Sequence, residues 1–173
     1  MSSRVLIFTG EGKGKTTAAL GMAFRAAGHG MRSCVIQFIK NDPTTGELAA
    51  IQKVPEIEIR QTGRGFLPKA DDPAWTEHRA AAKQGLAMAA EAIAGRQFAT
   101  VILDEVCLAV SRGLLDEQEV LDAIARAAPE AGIVLTGRYA TAGLIARADT
   151  VTELRCVRHG FEQGIAAQKG VEW

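Results

Sequence analysis

The stretch GEGKGKTT at residues 10–17 constrains the fold of this chain more than any other feature. The apolar run RVLIF before it (residues 4–8) is typical of a β-strand, and residues 16–27 after it are typical of a helix. A glycine-rich turn that ends in Gly-Lys-Thr between a strand and a helix predicts a phosphate-binding P-loop. Phosphate would then be bound at the helix N-terminus, beyond the carboxyl end of the strand.

Each residue type in this loop has a physical role in binding a polyphosphate. The glycines allow backbone N–H groups to turn toward phosphate oxygens. Lys15 supplies a positive charge, and Thr16 supplies a hydroxyl for Mg²⁺. A dinucleotide fingerprint G-x-G-x-x-G is excluded, because counting from Gly10 and Gly12 places its third glycine at Lys15.

The loop departs from the usual pattern G-x-x-x-x-G-K-[ST]. Thr9 occupies the place of the first glycine, and Gly12 is an additional one. We therefore expect a P-loop of altered shape, with Lys13 as a second cation beside the phosphates. Glu11 would repel a polyphosphate, so we expect its side chain to turn outward.

A second acidic feature follows another apolar run, TVILDE. Residues 100–104 are predicted as a strand that ends in Asp104, with Glu105 next to it. An apolar strand that ends in carboxylates has the form of a Walker B element, so we predict that one or both side chains hold Mg²⁺ or its waters.

The remaining pattern predicts an α/β fold with a mostly parallel sheet of about six strands and helices on both faces. Residues 62–75 are predicted as a long loop of the kind that is often functional. The predicted strands are residues 4–8, 34–39, 56–59, 100–104, 132–136 and 150–154, and the predicted helices are residues 16–27, 75–94 and 116–128.

Composition narrows the class of protein. With 173 residues, we expect one domain over residues 1–173. Twenty basic and twenty acidic residues cancel, so nothing in the charge favours nucleic acid or an anionic membrane. The chain has no apolar run long enough to span a bilayer and no signal-peptide pattern, and its three cysteines form no C-x-x-C pair. We therefore predict a cytoplasmic location.

The motifs resemble the bacterial P-loop type of ATP:corrinoid adenosyltransferases. This resemblance runs in order along nearly the whole chain, through the segments FTGEGKGKTTAALGMAFRAAGHG, VIQFIK, GRGF, VILDE, LTGR, ADTVTEL and RHGFEQGIAAQKGVEW. It implies a RecA-like P-loop NTPase fold and a homodimer. It also implies transfer of the 5′-deoxyadenosyl group of ATP to the Co(I) of a reduced corrinoid, with release of triphosphate, in adenosylcobalamin biosynthesis or salvage. A flavoprotein or another reductase would supply the electrons.

The resemblance also implies roles for individual residues. Lys15, Thr16 and Phe66 would be catalytic, with Phe66 on the corrinoid side helping to displace the lower ligand of cobalt. Thr16, Asp104 and Glu105 would hold Mg²⁺. The residues expected to contact ATP are Gly10, Glu11, Gly12, Lys13, Gly14, Lys15, Thr16, Thr17 and Arg138.

Three departures from the family pattern bear on these roles. Glu11 stands where close relatives often have asparagine, and Pro68 stands where some members have a second aromatic residue, a place that Trp75 could fill. The chain also begins directly at the first predicted strand, without the N-terminal helix that covers the corrinoid in longer members. We therefore expect a more open corrinoid site.

Two other functions stay open at the level of sequence. A small-molecule kinase or ATPase could use the same loop in the conventional way, although the sequence offers only scattered arginines for a mobile lid, with Arg138 the best placed. A corrinoid carrier would bind without turnover, but its D-x-H-x-x-G motif is absent. An anchoring role of Phe66 in the core is the alternative to its role at cobalt.

Overall fold

A computed structural model describes residues 3–171. The sheet consists of the strands β1 (Arg4–Thr9), β2 (Ser33–Gln37), β3 (Ile57–Gln61), β4 (Thr100–Asp104), β5 (Gly132–Thr136) and β6 (Thr150–Glu153). The α-helices are α1 (Lys15–Ala27), α2 (Gly46–Ile51), α3 (Trp75–Ala94), α4 (Val106–Ser111), α5 (Glu117–Ala125) and α6 (Ala142–Arg147), followed by a 3₁₀ turn at Gly160–Gln163.

All strand pairs of this sheet are parallel, in the order β3-β2-β4-β5-β1-β6. The predicted α/β P-loop fold with a parallel sheet of six strands is thus confirmed. Because every strand runs the same way, all six carboxyl ends lie along one edge of the sheet, where open α/β sheets bind their ligands.

The two faces of the sheet carry separate apolar cores, because neighbouring residues on a strand point to opposite faces. In β2, Val35 packs in the core under α1 and α2, whereas Cys34 and Ile36 pack in the larger core under α3 to α6. This double coverage explains why the inner strands have apolar runs without alternation.

The structure corrects several predicted element bounds and adds three short helices. The helix predicted at 116–128 ends at Ala125, because the N–H of Ala128 instead donates to the carbonyl of Ile93 at the end of α3 (3.2 Å). The strand predicted at 34–39 ends at Gln37. The helices α2, α4 and α6 were missed, since each has only six residues and a helical period is not visible over that length.

No helix within residues 3–171 is long and apolar enough to span a bilayer. The end of the tail motif at residues 172–173 and the first two residues of the chain lie outside the described residues. The single domain over residues 1–173 stays a prediction.

A capping box at Asp116 begins α5. The Asp116 carboxylate accepts the N–H of Gln118 at 2.8 Å, and Glu119 accepts the N–H of Asp116 at 3.4 Å. The helix matters for the site because its Glu117 carboxylate accepts the Thr141 hydroxyl (2.6 Å) and the N–H of Leu144 (3.0 Å) at the start of α6. This contact fixes the far end of the loop that follows β5.

We expect Asp116→Ala to lower the free energy of unfolding by about 1 kcal/mol, because the first turn of α5 loses its cap. Urea unfolding followed by circular dichroism measures the difference. Asp122→Ala is the matched control, since its exposed carboxylate accepts a hydrogen bond from the Gln118 amide (2.8 Å) and the substitution should change stability by less than about 0.5 kcal/mol. Equal losses in the two variants would contradict the importance of the cap.

Candidate functional site

The carboxyl ends of four strands converge on one cleft. The loop after β1 supplies residues 10–14, and the segment after β2 supplies Lys40. Asp104 ends β4 and is followed by Glu105, and Arg138 follows β5. The cleft has a volume of about 810 Å³. Its walls include every predicted loop residue from Glu11 to Thr17, together with Leu20, Phe24, Lys40, Glu47, Glu105, Arg138 and the tail residues Gly170 and Val171.

The start of α1 is open to an anion. Gly14 precedes the helix in the left-handed region (φ 104°), and no side chain caps the first turn. The first amides of a helix have no partner within it and carry a partial positive charge. The ammonium of Lys15 lies over the loop and donates to the carbonyls of Gly10 and Gly12, both at 2.7 Å. The third hydrogen of this ammonium is left for an anion in the cleft.

The additional glycine of the loop sequence has a structural cause. The backbone that leaves β6 runs directly over the loop, so that Gly12 N–H donates to the Leu154 carbonyl (2.7 Å) and Leu154 N–H donates to the Thr9 carbonyl (2.8 Å). A Cβ at Gly10 or Gly12 would lie 2.5 or 2.8 Å from the Leu154 oxygen. Both positions therefore have room only for glycine.

Thr9, which replaces the first glycine of the usual pattern, is buried and has its own function in the loop. Its hydroxyl accepts the N–H of Ala140 at 3.3 Å. This contact joins the P-loop to the segment that carries Arg138.

Asp104 is fully buried and is the most heavily contacted carboxylate of the cleft. Its Oδ1 accepts the hydroxyls of Thr16 and Thr136, each at 2.7 Å, and its Oδ2 accepts the side-chain amide of Gln37 at 3.0 Å. The Lys40 ammonium lies 3.8 Å from Oδ2. A buried carboxylate with this many donors is fully hydrogen-bonded and fixes the positions of the groups around it.

Glu105 differs from Asp104, because its Oε2 is buried and has no hydrogen-bond partner among the described residues. Its backbone is in the left-handed region (φ 64°) before α4, which directs it toward the cleft. Burial and the adjacent Asp104 charge raise the pKa of the Glu105 carboxyl. A buried oxygen that lacks a donor, on a residue that follows Asp104 and lines the same cleft as Thr16, is suited to a hard cation such as Mg²⁺.

The pKa values of Lys15 and Lys40 shift in opposite directions, although the nearby carboxylates favour the charged form of both. Burial lowers the pKa of Lys15, although Glu105 partly opposes this effect. Burial also opposes the charged form of Lys40, but Asp104 and the hydrogen bond to Glu47 outweigh it, so the pKa of Lys40 is raised. Lys40 therefore carries a firmly held positive charge at the inner wall of the cleft.

A second cavity, of about 720 Å³, lies beside the first. Phe66, Leu67, Pro68 and Trp75 give it a largely apolar wall. Its remaining lining includes Lys40, Glu105 and Leu108, which also line the phosphate cleft. The two cavities are thus neighbours that share one wall.

Phe66 is fully exposed, so the alternative prediction that it anchors its loop in the core is wrong. The backbone before it is fixed, because Gly65 N–H donates to the Ile39 carbonyl at 2.7 Å and a Cβ at Gly63 would lie 2.1 Å from the same carbonyl. The glycines of TGRGF let the loop cross the end of β2. The ring of Phe66 is thereby presented to the second cavity.

The structure brings together most of the predicted site residues and corrects one. Residues 11–17, Glu105 and Arg138 line the phosphate cleft, and Asp104 lies behind it. Glu11 does not turn away from the cleft. Its Oε2 lies 3.2 Å from Arg138 Nε, and this cation offsets the negative charge of the carboxylate. Lys40, Gln37 and Thr136 were missed, and the only signal for Lys40 was a lysine directly after the apolar run VIQFI.

Within the described part of the chain, no group of three or more histidine, cysteine, aspartate or glutamate side chains is placed to hold a metal ion. This does not conflict with a magnesium site of the P-loop kind. Such a site uses a hydroxyl, one or two carboxylates, phosphate oxygens and water.

Comparison with known proteins agrees with this geometry. The chain is 41% identical to the corrinoid adenosyltransferase of Pseudomonas aeruginosa over 170 residues, covering 98% of this chain and 83% of that protein. It is 38% identical to the corrinoid adenosyltransferase of a Sinorhizobium species, with coverage of 98% and 79%. The corrinoid adenosyltransferase of Escherichia coli K12 is 35% identical, with coverage of 98% and 85%.

The sequence model of one protein family, described as ATP:corrinoid adenosyltransferase BtuR/CobO/CobP, matches residues 2–173. The match includes the residues that line both cavities and the segment after β6 that crosses the P-loop. The chain therefore belongs to the ATP:corrinoid adenosyltransferase family.

Proposed function

We propose that this protein transfers the 5′-deoxyadenosyl group of ATP to the Co(I) of a reduced corrinoid and releases triphosphate. As a member of its family it is a transferase that acts on ATP and a corrinoid. The observation that carries the detailed proposal is the shared wall of the two cavities. A triphosphate site and an apolar site meet at Lys40, Glu105 and Leu108, so C5′ of a nucleotide in the first site can face a planar substrate in the second.

The phosphate cleft would hold the triphosphate as the leaving group. Lys15, Arg138 and the amides at the start of α1 are among the groups that can neutralise its charge, together with Lys13 and Lys40. Charge on the departing oxygen increases as the C5′–O bond breaks, so donors that are already in place stabilise the transition state more than the ground state.

The nucleophile would be the substrate itself. Co(I) provides the electron pair for the new Co–C5′ bond and is oxidised to Co(III), and the pair of the C5′–O bond leaves with triphosphate. No proton is removed from the nucleophile, so no general base is needed. The protein contributes positioning and electrostatic stabilisation.

The residues that we propose for Mg²⁺ are Thr16, Asp104 and Glu105. The buried, unpartnered Oε2 of Glu105 and its raised pKa support this assignment, since a cation would relieve both. Asp104 already accepts the Thr16 hydroxyl, so it would orient Thr16 and hold metal-bound water. When bound, Mg²⁺ would supply positive charge to the triphosphate.

The second cavity would hold the corrinoid, with Phe66 and Trp75 as aromatic contacts. Phe66 projects its whole ring from a fixed loop, as a residue that displaces the lower ligand of cobalt would need to. Trp75 lines the same cavity at the start of α3, and we propose that it replaces the aromatic residue missing at Pro68. The homodimer, the reductase partner and the cytoplasmic location stay predictions.

Product identity tests the reaction. With ATP and a chemically reduced corrinoid in the dark, we expect a light-sensitive alkylcobalt spectrum and one triphosphate for each adenosyl group transferred. Chromatography of labelled nucleotide and phosphate products measures this ratio. A parallel reaction without reductant should give neither product. ADP and phosphate as the sole products would contradict the proposal and favour a kinase or ATPase.

Removing the loop lysine should weaken ATP binding. We expect Lys15→Ala to raise the dissociation constant of MgATP by roughly tenfold to a hundredfold, because a charge-assisted contact of about 1.5–3 kcal/mol is lost. Isothermal titration calorimetry measures it. Lys83→Ala is the control, since that exposed ammonium pairs with Glu119 away from the cleft. Unchanged affinity in Lys15→Ala would argue against the assigned loop.

Phe66→Ala should separate cobalt reduction from adenosyl transfer. We expect turnover that depends on a protein reductase to fall by about tenfold or more, and turnover of pre-reduced Co(I) to fall much less, because the latter needs no displacement of the lower ligand. Phe161→Ala removes another exposed ring outside this cavity and controls for lost aromatic surface. Equal losses in both assays for Phe66→Ala would exclude the proposed role.

A further inference from the structure

An ion pair at the mouth of the phosphate cleft joins Arg138, which we assign to the triphosphate, to a carboxylate that has no role in the proposed reaction. Glu11 Oε2 lies 3.2 Å from Arg138 Nε, and each side chain is about half exposed, at 51% and 50%. Both side chains line the cleft. A carboxylate therefore occupies the neighbourhood in which a triphosphate oxygen would contact Arg138.

This carboxylate is distinct from the two that we assign to Mg²⁺. Asp104 and Glu105 belong to the buried wall and lie close to Thr16, Lys15 and Lys40. Glu11 lies on the loop itself, and Arg138 is its ion-pair partner. Near a bound triphosphate its charge would be repelled unless its side chain moved away.

The backbones on both sides of the pair are held in place. On one side, Arg138 lies between Gly137 (φ 131°) and Tyr139 (φ 60°), and the N–H of Gly137 donates to the Phe8 carbonyl at 3.2 Å. On the other side, Gly12 N–H donates to the carbonyl of Leu154, directly after β6. Exchange of partners at Arg138 can therefore occur by side-chain rotation alone.

We propose that Glu11 is a positioning residue that competes with triphosphate for Arg138. Without nucleotide, Glu11 holds the guanidinium at the mouth of the cleft. Phosphate oxygens displace the Glu11 carboxylate from Arg138 when ATP binds. After adenosyl transfer, Glu11 recaptures Arg138 and speeds the release of triphosphate. The inference deepens the proposed function and depends on triphosphate being the leaving group.

The strength of the pair suits this exchange. An exposed ion pair shifts an equilibrium by about fivefold at most, whereas a phosphate contact to arginine is charge-assisted and can be bidentate. Glu11 is thus strong enough to lower the affinity for triphosphate measurably and weak enough to yield to it.

The test compares Glu11→Gln with the unchanged protein in calorimetric titrations with MgATP and with inorganic triphosphate, without corrinoid. We expect both ligands to bind about fivefold more tightly to the variant, and triphosphate to become a correspondingly stronger product inhibitor. Glu153→Gln removes the same charge from an exposed position close to Gly10 but outside the cleft, and its affinities should not change. Thermal unfolding confirms that each variant is folded.

A double-mutant cycle shows whether Glu11 acts through Arg138. In an Arg138→Gln background, the gain from Glu11→Gln should fall below about twofold, because the competition is gone. The same gain in both backgrounds would overturn the inference, as would unchanged or weaker triphosphate binding in Glu11→Gln.

The reaction products separate this inference from the proposed function. Tighter binding in Glu11→Gln together with ADP and phosphate as products would overturn the proposed reaction and the role of Glu11 in triphosphate release, and only its competition with bound phosphate at Arg138 would stand. Unchanged binding together with triphosphate as product would overturn only the role of Glu11.

Discussion

The buried carboxylate of Asp104 is the contact on which the site depends. It lies at the end of β4 and accepts hydrogen bonds from Gln37 at the end of β2, Thr136 at the end of β5 and Thr16 in the first turn of α1. A charge in a fully buried position is stable only when it is surrounded by donors, so these groups are held at fixed distances. Three strand ends and the phosphate helix are thereby aligned before any ligand arrives.

This alignment suits a reaction whose chemistry is carried by the substrates. Co(I) is already a strong nucleophile and triphosphate is already a good leaving group, so the protein gains most from bringing them together in the correct orientation. A polar wall held by hydrogen bonds on one side and an exposed aromatic ring on a fixed loop on the other would provide that orientation. The shared wall between the cavities is where the two substrates would meet.

The local motifs could be predicted from sequence, and the contacts between distant segments could not. The strand, loop and helix around Lys15 and the acidic end of β4 are visible because each is a continuous pattern of a few residues. The role of Gly12 depends on Leu154, which is far away in sequence, and no periodicity indicates that crossing. The prediction that Glu11 turns outward failed because the fold brings Arg138 close to it, and the local sequence does not show this contact. Phe66 could be located by resemblance, but its exposure depends on how its loop crosses the end of β2.

The segment that follows β6 and crosses the P-loop also limits which loop sequences of other P-loop proteins this fold can accept. Replacing Thr9 by glycine would remove the acceptor for Ala140, and any side chain at Gly12 would collide with the Leu154 carbonyl. Restoring the first glycine of the usual pattern would therefore cost the contact between the loop and the segment after β5, and Gly12 cannot be exchanged while β6 keeps its course. The loop and the segment that follows β6 therefore fit each other as a pair, and a chimera that exchanges either segment should exchange both.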